Sequence, residues 1–501
     1  MKTALIGLTL FCSCSAFSAD WKPEWENLKR HKAVPQWFAD AKLGVYFHWG
    51  VYSVPAWGTE WYPRWMYVPD RPDNLWGGDV YEYHRRTYGA DVHYHDYIDK
   101  WTGENFNAAE WVDMFENMGA KFIGSIAEHH DGVSLWDSQT NEWNSVKMGP
   151  GIDVVKAIAD ETYKRNLKFM ATFHHGFHMM FYPKIKGKWP RPNYDDYYYD
   201  EVDVPQDPKY AKLYGNMSYD DANDLWLGKL NEVIEAHCPD YIWMDFGQRY
   251  VKESHRKQFL ANYFNKADEV GKEVVVNTKG DFFPTELAVV NVERATMQDI
   301  TPEVWITDFI LGSSWCFNRE KRTAIKPAEA IRVLADVVSK NGVMLLSAGP
   351  MADGTIPEEQ VKAMEGIGAW MKLYGEAIYG TRPFHMFGHG PTVLKRDEKD
   401  AWNEYGKIKD GIWDLMEDDI RYTTKGKTVY AIQLGWPGKN REILLEGFKD
   451  PVLRMRVKSV SVLGSRQRIK WKKSSKGLRV RSPKEKPAEA DSALVYKIEL
   501  R

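Results

Sequence analysis

Cysteine is scarce in this chain, with four in 501 residues. Two of these, Cys12 and Cys14, lie at the extreme N-terminus, leaving Cys238 and Cys316, so a disulfide framework is excluded and at most one bridge can form. No apolar run is long enough to span a bilayer. Internal repeats and low-complexity tracts are missing too, which removes solenoids and disordered tails from consideration. Among catalytic signatures, the stretch from Gly349 to Thr355 has no following Lys-Ser/Thr pair and so is no phosphate loop. A Gly-x-Ser-x-Gly nucleophile elbow and a helical His-Glu-x-x-His are also lacking. Net charge is only -3.

Charge is nevertheless unevenly placed. From Pro451 to Arg501 there are 15 Lys and Arg against 4 Asp and Glu, so the rest of the chain carries -14. The patch Arg466, Arg468, Lys470, Lys472, Lys473 and Lys476 reads either as a solvated face or as a surface for an anionic polymer. Nucleic acid is not an expected partner, because the first residues read as a secretory leader. Lys2 precedes an apolar run from Ala4 to Cys12, and small residues surround Ala16, Ser18 and Ala19. Cleavage near Ser18 or Ala19, and export to a periplasmic or extracellular location, are the expectations.

What the chain has in abundance is aromatic residues: Trp 22, Tyr 27 and Phe 21, or 14%. Such rings fill cores, and they also stack on the apolar faces of sugars. Their setting is a series of eight short apolar runs that end in polar residues: Leu43 to His48, Phe122 to His130, Phe169 to His175, Tyr241 to Asp245, Glu273 to Asn277, Leu287 to Glu293, Val304 to Asp308 and Val343 to Ser347. Amphipathic stretches separate several of them, at Ala108 to Met118, Val154 to Arg165, Asp220 to His237, Ser254 to Glu269 and Pro327 to Ser339. Apolar strands alternating with helices predict a parallel sheet buried on both faces, and eight strands predict a (β/α)8-like barrel. Gly280 to Thr285 is too short for a helix, so the barrel is expected to be irregular. After Thr381 to Pro383 the texture changes to short alternating strands, which predicts a β-sandwich. The expected organisation is a leader at 1–19, a barrel at 20–384 and a sandwich at 385–501. The sandwich either braces the barrel or binds carbohydrate.

Five of the runs end in chemically capable groups: His48, His129 with His130, His174 with His175, Asp245, and Glu293. In a parallel barrel these ends converge on one face, where active sites lie, and the convergence argues for an enzyme. Asp245 at a strand end suits a nucleophile or base, though a helix cap or salt bridge fits that position equally. Glu293 and Glu60 supply further carboxylates, and two carboxyl groups across a cleft are the minimum apparatus of glycoside hydrolysis. The histidines could ligate a metal, but adjacent strand residues point to opposite faces, so His129 and His130 face inward together only if the strand end bends. Recognition of hydroxyls by neutral imidazoles is the preferred reading over a metal site.

These residues resemble the α-L-fucosidases of glycoside hydrolase family 29. The resemblance rests on the run from Trp37 to Gly50, Val51 to Trp57, and Glu60 to Tyr62; then on His129 to Gly132, Leu135 to Ser138 and Trp143 to Ser145. It continues through Trp243 to Asp245, Gly349 to Gly354, and Gly375 to Pro383. It implies a barrel with Asp245 as the nucleophile of a retaining, exo-acting mechanism. His48, His129 and His130 would bind sugar hydroxyls, and Trp57 and Trp243 would pack on the ring; His174, Lys279, Trp315 and Glu60 are further substrate-binding candidates by their own places in the strand-end loops. No metal and no organic cofactor is implied, and the partner is an oligo- or polysaccharide.

Four departures from the family pattern stand out. Glu128 replaces a usual Lys before the His pair, and the usual Asn-Asp-Arg becomes Asn277, Thr278 and Lys279. His174 follows Phe173 where the family ends its third strand on Tyr-Tyr-Ser. Ile306 follows Trp305 where a Glu often supplies the acid. The acid/base must therefore come from elsewhere, and Glu293 is the expectation, with Glu303 and Glu60 as alternatives. Lys279 and the basic C-terminal stretch direct the substrate expectation to a sulfated fucan. An α-L-galactosidase, a catalytically degenerate carbohydrate-binding protein and a metallohydrolase are the competing readings.

Overall fold

The computed structural model describes residues 20–69, 79–185, 198–199, 201–280, 282–394, 407–409 and 411–501. Eight parallel strands close into a barrel: β1 (Leu43–Phe47), β2 (Phe122–Glu128), β3 (Lys168–Phe173), β4 (Tyr241–Met244), β5 (Val275–Thr278), β6 (Val289–Glu293), β7 (Trp305–Ile310) and β8 (Gly342–Ala348). Each pairs with the next in chain order, and β8 pairs with β1. The strands are apolar along nearly their whole length because both faces are covered. Tyr46, Phe122, Ile126, Met170, Tyr241, Trp243, Val275, Val289, Ile306, Val343 and Leu345 fill the interior. The barrel is thus a packed core whose chemistry is confined to its ends.

Helices cover the outside: α1 (Ala108–Met118), α2 (Val154–Lys164), α3 (Tyr219–His237), α4 (Glu253–Glu269), α5 (Pro327–Ser339) and α6 (Glu358–Tyr374). Their starts follow from local chemistry. Asn107 Oδ1 accepts from the amides of Ala109 and Glu110, Asp153 accepts from Lys156, and Ser218 from Asp221. α1 ends at Gly119, whose φ of 109° suits a residue without a side chain. Among the described residues no helix separates β5 from β6, as the short link predicts. A second return, between β6 and β7, also lacks a helix, and α6 after β8 was not among the periodic stretches read from the sequence.

The C-terminal strands form two antiparallel sheets. One contains β9 (Arg382–His389), β10 (Ile420–Lys425), β11 (Thr428–Gln433), β13 (Val457–Val462) and β16 (Leu494–Leu500), in the order β9-β10-β11-β16-β13. The other contains β12 (Glu442–Leu445), β14 (Trp471–Ser474) and β15 (Gly477–Arg481), with β15 central. Alternation along β11 shows how the larger sheet is used. Val429 and Ala431 pack toward the smaller sheet, whereas Tyr430 and Ile432 join the barrel core. The Trp370 indole on α6 donates to the Ala493 carbonyl at 2.9 Å. Asp336 on α5 accepts from Arg421 at 2.6 Å and Lys340 at 2.8 Å; burial works against its charge, but the two cations hold its pKa down to about 2. These contacts make the larger sheet a brace for α5 and α6. Cys238 and Cys316 are both buried and free, so no bridge forms.

Candidate active site

Asp245 follows β4 directly and is 5% exposed. Its Oδ1 lies 2.6 Å from Lys279 Nζ and its Oδ2 lies 3.2 Å from His130 Nε2. Burial alone would raise the carboxyl pKa. The Lys279 ammonium, together with His174 and His130, overrides burial and holds it well below the usual carboxylate range. Lys279, just beyond β5, also bonds Glu293 Oε2 at 2.9 Å, and its ammonium sits 5.2 Å from the Trp243 ring centroid. Burial disfavours its charge, but Asp245, Glu293 and Asp308 keep its pKa above the ordinary lysine value. Because one Nζ makes both bonds, Asp245 Oδ1 and Glu293 Oε2 can stand no farther apart than the 2.6 Å and 2.9 Å contacts laid end to end.

Three imidazoles gather opposite this cation. The His48 and His174 rings are 5.4 Å apart, His48 and His129 5.7 Å, and His129 and His174 4.8 Å, centroid to centroid. Burial pushes all three below the ordinary histidine value, His48 to about 3, so they are neutral hydrogen-bonding groups. His48 Nδ1 meets Ser347 Oγ at 2.7 Å, while Nδ1 of His129 and Nδ1 of His174 are buried with no hydrogen-bond partner among the described residues and are open to a ligand. Each of the three offers a nitrogen within 4.8 Å of the others, so these are the residues that could hold a metal ion. His175 turns away, with Nε2 on the Trp226 carbonyl at 3.1 Å. His129 and His130 do both reach the site. The register of β2 slips between Ile126 and Glu128, which supplies the bend that two adjacent inward residues require.

The remaining candidates are placed unequally. Glu60 is 2% exposed, and burial raises its pKa to about 8, with Glu293 and Asp245 adding to the effect. It is therefore protonated at neutral pH, and its Oε2 has no partner. Trp315 stands 5.3 Å from His48. Trp57 has one face covered by Tyr83 at 3.8 Å, so only its other surface can serve a ligand. Trp57 and Trp315 line a cavity of about 440 Å³ with Arg294 and Lys321. Glu303 does not reach the site. It is exposed two residues before β7 begins, at the opposite end of the barrel, because the turn after β6 returns the chain without a helix. Asp308 was missed as a candidate, although it ends the seventh apolar run. It pairs in register with Glu293, accepts from Asn291 at 3.0 Å, and burial raises its pKa to about 7, with Lys279 opposing the rise and Glu293 adding to it.

Glu128 explains one departure from the family pattern. It is fully buried beneath the His pair, where Lys229 of α3 and Ser134 each donate to it at 2.6 Å. The charge sits on the strand and its counterion on the helix, so the segment carrying His129 and His130 is tied down by an ion pair.

A nucleophile-like carboxylate, a second carboxyl held by the same ammonium, and neutral donors around both are suited to splitting glycosidic bonds. At the C-terminal mouth of a barrel, that arrangement defines a glycoside hydrolase. Family comparison narrows the class. The α-L-fucosidase model matches residues 9–376 and the α-L-fucosidase C-terminal domain model matches residues 413–501. The chain belongs to the α-L-fucosidase family, and its enzyme class is that of a glycoside hydrolase acting as an α-L-fucosidase.

Full-length relatives agree with this. The tissue α-L-fucosidase of Bos taurus is 27% identical over 96% of this chain and 91% of its own length. The α-L-fucosidase of Branchiostoma floridae is 25% identical over 96% and 95%. Among solved structures, the Thermotoga maritima α-fucosidase in complex with fucose has a TM-score of 0.72, with 27% identity over 95% of this chain and all of its own.

Proposed function

We propose that this enzyme is an exported, retaining exo-α-L-fucosidase that removes terminal fucose from an oligo- or polysaccharide, with Asp245 as nucleophile and Glu293 as acid/base. The single ammonium that contacts both carboxyl groups supports this stereochemistry, because it limits how far apart Asp245 Oδ1 and Glu293 Oε2 can stand. Retaining glycosidases hold their carboxyl groups about 5–5.5 Å apart, whereas inverting ones need about 6.5–9.5 Å to admit water. Two carboxyl oxygens that contact one Nζ favour the shorter range, which supports retention. Export rests on the leader sequence at 1–19, and N-terminal sequencing of the mature protein tests it.

The chemistry follows from Lys279. In the first step Asp245 attacks the anomeric carbon and becomes an ester, while Glu293 protonates the departing oxygen and becomes a carboxylate. Negative charge moves from one to the other, and Lys279 bonds both positions, so it stabilises the charge before and after the transfer. In the second step Glu293 takes a proton from water, which attacks the glycosyl ester and regenerates Asp245. His48, His129 and His174 donate to or accept from the sugar hydroxyls, and Trp243 closes the floor.

Glu60 is the rival acid, because burial raises its pKa to about 8. It is buried, however, while the Glu293 side chain is 23% exposed. The acid/base must admit water in the second step, and this favours Glu293. The test is hydrolysis of an aryl α-L-fucoside followed by NMR. Fucose released first as the α-anomer supports retention, and release of the β-anomer refutes it. Azide should restore turnover to Glu293→Ala and yield the α-fucosyl azide. With Asp245→Gly it should yield the β-azide, because a single displacement inverts the centre. Rescue of Glu60→Ala instead of Glu293→Ala would reassign the acid/base.

A further inference from the structure

We propose that the cavity beside Glu293 is a subsite for an anionic substituent, a sulfate ester or a carboxylate, on the sugar that bears the fucose. The inference rests on the fucosidase reading above and names its substrate class. A proton donor must face the glycosidic oxygen, so the group leaving with that oxygen lies next to Glu293. The next residue in the chain is Arg294, which lines the 440 Å³ cavity together with Thr59, Ser313, Ser314 and Lys321.

Arg294 is exposed, and its guanidinium forms no ion pair or hydrogen bond among the described residues. Lys321 likewise has no ion pair there. Glu320 is the single acidic residue on the cavity wall, so the wall carries a net positive charge. The Arg294 backbone lies at φ 50°, a left-handed conformation that an arginine adopts at a cost, and its amide is fixed by a 3.0 Å bond to the Asp308 carbonyl. The turn is therefore held where it sets a planar, bidentate cation at the departing group. Trp57 and Trp315 supply apolar walls for a pyranose ring, and Thr59, Ser313 and Ser314 supply hydroxyls for its oxygens.

This sets the anion reader beside the acid/base and apart from Lys279. Lys279 cannot serve a sulfate, because both of its carboxylate partners are catalytic groups. In the basic C-terminal stretch, Lys472 lies 3.6 Å from Glu442, and Lys473 donates to the Met455 carbonyl at 3.2 Å. Arg294 and Lys321 are the cations with no such partner beside the acid/base.

The test compares phenyl, 4-sulfophenyl and 4-carboxyphenyl α-L-fucosides by kcat/KM. Each anionic substrate is expressed as a ratio to phenyl fucoside within the same variant, which cancels leaving-group reactivity when variants are compared. Arg294→Gln is expected to lower the wild-type ratio about tenfold or more, and Lys321→Gln about threefold, with 0.5 M salt compressing the wild-type ratio. A fall confined to the sulfophenyl substrate identifies a tetrahedral sulfur oxyanion, the class to which a sulfate ester belongs, and a fall for both identifies negative charge as such. Ratios in Arg294→Gln within about twofold of wild type overturn the proposal. Failure of the wild type to cleave phenyl fucoside would refute the fucosidase reading instead. Calorimetric binding of the same three compounds then decides the subsite, with the same ratios expected.

Discussion

Replacing Lys279 by Met removes the one charge that bridges Asp245 and Glu293. With an effective dielectric constant of about 20, unit charges about 5.5 Å apart interact by about 3 kcal/mol, which sets the scale of what Lys279 contributes. Without the ammonium, burial pushes the Asp245 carboxyl upward and removes part of the ionised nucleophile. The transition state also loses the cation that follows the migrating charge, and about 3 kcal/mol corresponds to roughly a hundredfold in rate. The expected result at pH 7 is a fall of about that size in kcat/KM on an aryl fucoside.

The pH profile is the sharper assay. In the wild type, Lys279 helps to depress the Asp245 pKa against burial, so the acid limb of kcat/KM lies below the ordinary carboxylate range. Stability linked to this group is present above its unfolded pKa and is lost as pH falls through the depressed native value. Without the ammonium, burial is left to dominate and the acid limb moves upward. Lys279→Arg restores the cation in planar form and should keep the limb near its wild-type position. An unmoved acid limb in Lys279→Met, with the loss confined to KM, would show that Lys279 serves only substrate binding and would refute the charge-transfer argument.

Two further outcomes follow from buried charge. Glu60 has its pKa raised to about 8, so the native state holds a proton that the unfolded chain releases near pH 4, and stability falls as pH rises between those values. Glu60→Gln abolishes this by removing the titration, and denaturant unfolding at pH 5 and pH 9 should show the variant gaining on the wild type by about 4 kcal/mol across that span; parallel slopes would contradict the assignment. Lys229→Met strands the fully buried Glu128 and should cost about 3–5 kcal/mol, whereas the exchanged pair Glu128→Lys with Lys229→Glu should recover most of it; thermal unfolding of the three proteins checks this.

Much of the fold was legible because strands buried on both faces must be apolar throughout and must end where the chain meets solvent. All eight runs coincide with barrel strands, and the cap residues Asn107, Asp153 and Ser218 mark where three helices start. What stayed hidden depended on geometry between segments. The dual role of Lys279 requires β4, β5 and β6 to be neighbours, and no single stretch of sequence records the Nζ position relative to Asp245 and Glu293. The inward turn of both His129 and His130 comes from a register slip in β2 that an apolar pattern does not reveal.

Glu303 and Asp308 show why strand polarity decides more than proximity in sequence. Both follow Glu293 closely in the chain, and both are carboxylates beside the same apolar run. Glu303 precedes that run and Asp308 falls within it, three residues after it starts. In a parallel barrel every strand enters from one face and leaves by the other, so a rise of about 3.3 Å per residue separates the two carboxylates by roughly 16 Å along the strand. Only Asp308 falls beside Glu293 in the ladder, where Lys279 and Glu293 act on its pKa from opposite sides. A carboxylate in such a fold is a candidate for chemistry when it lies in the C-terminal half of its strand, and that rule, applied to β7, selects Asp308 and rejects Glu303 without reference to any relative.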